Sequence, residues 1–310
     1  MTEMSERTEP AGRLDFPERS VPVERLEKGD HACMALPAGG SPWKVFTAYT
    51  RTSLARKEKV LLVMNPDDMN DDDVIALLDA GTGRVAEARS NGQLSLKRTT
   101  EMYVPDGRFR EDRTIELYTA EVNNAYSEGW SGLRLTADMS WAPRVGIDHE
   151  RLLDYESSVA PLFADPLFTA ICWYDQEQFD DRLVNKMRKV HPLRVMEQLD
   201  SLDVTDTADG RRIAGAAELG TRTEFVESLR LALEQHRDTP GPSRFVLDLR
   251  DCCFMEAHCA WQLINLARSL PAGSEVTVRC AELLGLVLRQ LGADEVPQLV
   301  LVVEEEEMSL

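Results

Sequence analysis

The chain has 310 residues, with 35 Lys and Arg against 54 Asp and Glu, a formal net charge of −19. Nucleic acids and anionic membranes attract cationic surfaces, so this balance argues against either as a direct ligand. The length points to two domains, and a hydrophobic fraction of 43% is enough to fill two cores. No run reaches the roughly 20 apolar residues of a membrane-spanning helix. Residues 1–19 are polar and charged, without the apolar centre of a signal peptide. Six cysteines, mostly inside apolar stretches and without disulfide-scaffold spacing, read as reduced thiols in a cytoplasmic protein.

In chain order, residues 1–25 read as a disordered arm. A strand is predicted over 31–36, a loop over 37–42, and a helix over 43–55 with Val45, Phe46, Tyr49 and Leu54 near helical spacing. The apolar run 59–64 predicts a strand buried on both faces of a parallel sheet. Asp71, Asp72 and Asp73 favour the start of a helix that buries Val74, Ile75, Leu77 and Leu78. Ile115, Tyr118, Val122 and Tyr126 share one face of a helix over 111–128, which Gly129 ends. A strand over 131–138, a helix over 149–163, a strand over 167–174 and a helix over 183–190 follow, the last stopped at His191-Pro192. This alternation predicts an α/β fold with a doubly wound, mostly parallel sheet.

Residues 199–210 carry Asp200, Asp203, Asp206 and Asp209 and read as a linker or as the first hairpin of a new domain. A shorter alternation follows, with strands at 213–217, 245–249, 276–280 and 299–303 and helices at 224–235, 257–270 and 283–291. The boundaries are then 1–25 for the arm, 26–197 for the first domain, 200–304 for the second, and 305–310 for an acidic tail.

Two families are met along the way. Gly29-Asp-His-Ala-Cys33, the strand ending at Val63, Arg89-Ser-Asn-Gly-Gln-Leu94 and the segment from Glu128 to Trp141 resemble the MEDS sensory domain (methanogen and methylotroph sensory proteins). Leu152-Leu-Asp-Tyr-Glu156, Ala170-Ile-Cys-Trp-Tyr-Asp175 and His191-Pro192 extend the resemblance to residue 193. It implies a RecA-like fold and the sensing of small molecules, such as hydrocarbon derivatives. Ala217-Glu218-Leu219, Phe245-Val-Leu-Asp-Leu249 and Phe254-Met-Glu256 resemble the STAS domain of anti-sigma-factor antagonists, a small α/β module. At the corner that family phosphorylates on serine, this chain reads Glu256, Ala257, His258 and Cys259. The resemblance implies a partner-docking corner there, without a phosphorylatable hydroxyl.

Other constellations are weaker. The loop Pro37-Ala-Gly-Gly-Ser-Pro-Trp-Lys44 lacks the Gly-Lys-Ser/Thr ending of a phosphate loop, and its prolines remove backbone donors. It reads as an ordinary turn capped by Ser41, and Asp138 as a residue that holds local structure. Cys252, Cys253, His258 and Cys259 lack metal-ligand spacing. His31 and Cys33, two apart on a strand, face the same side. They read either as core residues or as contacts to a ligand, metal or redox signal, and the MEDS resemblance favours contact. With Asp138, Trp141 and Trp173 they form the predicted ligand pocket, at the carboxyl edge of the first sheet.

The expectation is a non-enzymatic cytoplasmic sensor and partner-switching regulator of transcription or stress response. It takes a small-molecule ligand and a protein partner such as an anti-sigma-factor kinase or STAS scaffold. No cofactor or metal is expected from spacing, and self-association stays open. The alternative is a nucleotide-binding RecA-like protein or weak NTPase.

Overall fold

The structure, a computed structural model, describes residues 19–65, 69–237 and 244–304. Two compact units divide it: one holds residues 27–41 and 50–194, the other 20–26, 42–49 and the chain from 195 onward. The predicted acidic tail, 305–310, lies outside the described residues, as do positions 1–18 of the predicted arm. The last part of that arm is ordered instead. Ser20–Val21 is a strand (β1) and Val23–Arg25 a 3-10 turn, because Val21, Val23 and Leu26 are apolar and buried.

Through the first half, the elements are β2 (His31–Leu36), α1 (Trp43–Ala55), β3 (Lys59–Met64), α2 (Asp71–Asp79), α3 (Arg84–Ser90), β4 (Leu94–Arg98) and α4 (Thr99–Met102). Then come α5 (Glu111–Ser127), β5 (Leu133–Asp138), α6 (Trp141–Arg144), α7 (His149–Ser158), β6 (Phe168–Asp175), α8 (Asp181–Val190) and β7 (Leu193–Val195). The sheet has seven strands in the order β1-β7-β2-β6-β5-β3-β4. The pairs β7–β2, β2–β6, β6–β5, β5–β3 and β3–β4 are all parallel. Strands β2, β3 and β5 are buried at every residue, as expected for a parallel sheet covered on both faces. The helix predicted over 149–163 stops at Ser158 and continues as a 3-10 turn, Ala160–Ala164, with Pro161 at its start.

Side chains alternate across each strand, so the sheet has two distinct faces. Phe168, Ala170, Cys172 and Tyr174 of β6 join Cys33 and Ala35 of β2 in one core. That core also takes Tyr118 of α5, Tyr155 of α7 and Met187 of α8. Thr169, Ile171 and Trp173 point to the opposite face. Full burial of each large apolar side chain is worth about 1.5–3 kcal/mol, which is what docks these helices.

The second half runs β8 (Leu202–Thr207), β9 (Gly210–Ala217), α9 (Arg222–Arg237), β10 (Arg244–Leu249), β11 (Cys252–Met255), α10 (Ala257–Arg268), β12 (Glu275–Ala281), α11 (Glu282–Gln290) and β13 (Leu299–Glu304). The aspartate-rich stretch resolves into a hairpin: β8 and β9 pair antiparallel, with Thr207 opposite Gly210. The remaining order is β11-β9-β10-β12-β13, all parallel. Gly210 is required where it lies, because a Cβ there would sit 1.8 Å from the Val246 carbonyl oxygen of β10. Phe225, Leu229, Leu247, Leu263, Val278 and Leu288 fill the core between this sheet and its helices.

Candidate functional site: a buried His, Glu and Cys cluster

Four polar side chains converge inside the first unit. His31 opens β2, Glu156 lies on α7, Cys172 is in the middle of β6, and His191 follows the last turn of α8. One ligand-type atom from each lies within 4.8 Å of every other. His31 Nε2 is 3.5 Å from Cys172 Sγ and 3.6 Å from Glu156 Oε2. His191 Nε2 is 3.4 Å from the same Oε2. All four residues are buried.

Each group is oriented from behind. The His191 Nδ1–H donates to the Met187 carbonyl at 2.8 Å; a carbonyl oxygen only accepts, so the proton sits on Nδ1 and Nε2 turns to the cluster. This follows from where α8 stops. Pro192 cannot continue a helix, and His191 is the C-cap, its own N–H also bonded to the Met187 carbonyl. The Tyr174 hydroxyl donates to Glu156 Oε1 at 2.8 Å, which leaves Oε2 for the cluster. Phe163 stacks on the His31 ring at 4.0 Å and 8°, closing it from above. Burial, and then the neighbouring His191, hold the His31 imidazole well below its ordinary pKa, so it is neutral at physiological pH. Burial and the Glu156 carboxylate push the Cys172 and Tyr174 hydrogens to higher pKa.

The structure divides the five residues of the predicted pocket. His31 enters the cluster at the amino end of β2. Cys33 does not; it lies opposite Cys172 in the β2–β6 register, and burial pushes its thiol up to about 12. Asp138 and Trp173 are paired across β5 and β6 on the other face of the sheet. There Asp138 accepts from Asn65 Nδ2, from the Ser140 hydroxyl at 2.6 Å and from the Ser140 N–H at 2.9 Å. Thr99 donates to Asn65 at 3.1 Å, so the network ties the ends of β3 and β5 together. Trp141 stacks on Tyr103 at 4.4 Å, between Phe109 and Tyr155, in the α5–α7 core.

Glu156, Cys172 and His191 are the residues the pocket prediction omitted. A signal was present: each lies inside a segment quoted above for the MEDS resemblance. His191 was read as a helix stop and as part of the MEDS match, not as a pocket residue.

In the second unit, Glu256 occupies the N-cap position of α10 without a side-chain cap bond, and its carboxylate makes a two-point ion pair with Arg222, at 2.5 and 3.0 Å. Ala257 and His258 are exposed and Cys259 is buried. Leu219, Phe254, Trp261 and Leu283 expose large apolar side chains. Among the described residues no helix is long and apolar enough to cross a membrane.

A parallel-sheet α/β domain with a closed, mixed-donor cluster at its heart is the class of protein this geometry defines. The sequence profile of MEDS, the MEthanogen/methylotroph, DcmR Sensory domain, matches residues 30–192, so the chain belongs to that family, and a sensor role follows. No curated protein matches the sequence. Among solved structures, the flagellar accessory protein FlaH from Methanocaldococcus jannaschii is similar at 9% identity and a TM-score of 0.39, over 61% of this chain and 80% of that one.

Proposed function

We propose that the chain is a two-part cytoplasmic signalling protein: the MEDS unit senses a small molecule, and the second unit docks a regulatory protein in the manner of anti-sigma-factor antagonists. Membership of a sensory-domain family over residues 30–192 is the observation that carries this reading. For the second unit, the support is the STAS-like motif set, on a small sheet with α9, α10 and α11, and the exposed Phe254 and Trp261 beside the Glu256 corner. With alanine and histidine at the serine positions, the partner is controlled by the sensory unit rather than by phosphorylation of the corner. A ligand that prefers one state by a few kcal/mol is enough for such control.

The test is affinity capture of the full chain from native lysate, with mass spectrometry of retained small molecules and proteins. The reading expects a small molecule held through the first unit and a partner lost on Trp261→Ala. Partner release by kinase and ATP, with a phosphosite mapped to 256–259, would overturn it.

A further inference from the structure

The His31–Glu156–Cys172–His191 cluster is built as a metal centre. We propose that His31 Nε2, His191 Nε2, Cys172 Sγ and Glu156 Oε2 together bind one divalent ion of the zinc class. The proposal stands on the cluster's own geometry and does not depend on what the first unit senses.

The first observation is a mismatch that a cation resolves. With Nδ1 turned to the Met187 carbonyl, His191 Nε2 faces the Glu156 carboxylate oxygen Oε2, 3.4 Å away. Neither atom has a hydrogen-bond partner among the described residues. Isolation of buried polar atoms, above all a carboxylate, from water is costly unless they are compensated. The groups placed on Glu156 in this cluster are two imidazoles, the Cys172 thiol and the Tyr174 hydroxyl. A divalent ion between them turns each lone pair into a bond, and a thiolate with a carboxylate neutralises its charge.

The second observation is the spacing. An ion 2.0–2.2 Å from N and O donors and 2.3 Å from sulfur holds its tetrahedral ligands roughly 3.3–3.8 Å apart. Three separations, 3.4, 3.5 and 3.6 Å, already have that length. With all four atoms within 4.8 Å, closure needs side-chain shifts of about 1 Å.

The third is the support behind the donors. A ligating histidine ordinarily donates its other N–H to a carbonyl or carboxylate, and a ligating carboxylate is itself hydrogen-bonded. The Met187 carbonyl and the Tyr174 hydroxyl supply these two contacts.

The donor set selects the ion. Two nitrogens, a sulfur and one oxygen in a compact group suit Zn²⁺, whereas Ca²⁺ and Mg²⁺ demand oxygen shells. Four protein donors with no water-accessible position make a closed centre, which binds β2, α7, β6 and the end of α8 to one another rather than activating a substrate. Binding replaces the thiol proton of Cys172, so one proton leaves as the ion enters.

The full-length protein, stripped with chelator, is titrated with Zn²⁺ and with Co²⁺. One ion per chain is expected in the first unit. The Co²⁺ form should show tetrahedral visible bands and a near-ultraviolet thiolate band. Cys172→Ser removes the thiolate band, Cys33→Ser retains it, and Tyr174→Phe weakens affinity by about 10–100-fold. X-ray absorption of the wild-type zinc form needs no variant and should give one sulfur and three nitrogen or oxygen neighbours. The proposal fails if wild-type protein binds no stoichiometric ion. It fails equally if the first shell holds no sulfur or several, or if the cobalt spectrum survives both Cys172→Ser and His191→Ala, which would place the ion on other cysteines.

Discussion

Arg134 Nε lies 2.6 Å from Glu58 Oε2, and neither side chain meets solvent. Arg134 sits in the middle of the sheet on β5, and Glu58 directly precedes β3. Glu58→Ala removes a buried carboxylate partner of the Arg134 guanidinium and is expected to destabilise the first unit by up to about 3–5 kcal/mol. A double replacement by methionines of similar volume should cost much less. Urea unfolding of the three proteins checks this, and equal losses in the single and double variants would contradict it.

Asp180 caps α8, its carboxylate accepting from the Leu183 N–H at 2.7 Å. Asp180→Ala should cost about 1 kcal/mol, within a range of roughly 0.5–2. Because α8 ends at His191, the same change should raise hydrogen exchange at Met187 and His191. Exchange confined to the first turn would show that the cap acts only locally.

Burial pushes the Cys252 thiol from its ordinary 9.0 to about 12, and the neighbouring Cys253 adds to the shift. A group whose folded pKa is raised holds its stabilising effect below the unfolded value and loses it as pH climbs through the folded one. The contribution of this thiol should therefore be constant below pH 9 and be lost between pH 9 and 12, by up to about 4 kcal/mol. Denaturant midpoints should decline less steeply in Cys252→Ala. In native alkylation, half-buried Cys253, pushed to about 11, should react before Cys252.

No magnesium-dependent ATP turnover is expected, and Lys44→Ala should leave the background rate unchanged. In a phosphate loop the backbone N–H groups face an anion. Here the Gly39 N–H donates to Glu177 at 3.0 Å, and that of Gly40 to the Pro37 carbonyl at 2.7 Å. Turnover that disappears with Lys44→Ala would reverse this conclusion.

Much of the architecture was legible because it rests on local patterns. The run Lys59–Met64, the helical spacing of Tyr118 and Val122, and the punctuation at Gly129 and Pro192 each write an element into a few adjacent residues. Strand β4 escaped because Leu94-Ser-Leu-Lys-Arg98 carries only two apolar residues and ends the sheet, where one neighbour suffices. Strand β11 escaped because Cys252–Met255 follows β10 after a two-residue turn and looks like its continuation. The cluster was half legible. Strand parity put His31 and Cys33 on one face, but which cysteine meets the imidazole depends on the β2–β6 register and on the stop of α8. Neither is encoded near residue 31.

The same cluster draws its donors from positions 31, 156, 172 and 191, the first and last of which nearly bracket the sensory unit. Contacts between distant positions form slowly, since a long loop must close before they reward it. A chain emerging from the ribosome carries His31 early and cannot complete the set until α8 and His191 have followed. Completion of the cluster thus reports that the whole parallel sheet has assembled in the correct order. A polypeptide cut short before His191 would leave the set unfinished, and one with β6 slipped by a single residue would present Cys172 to the wrong face.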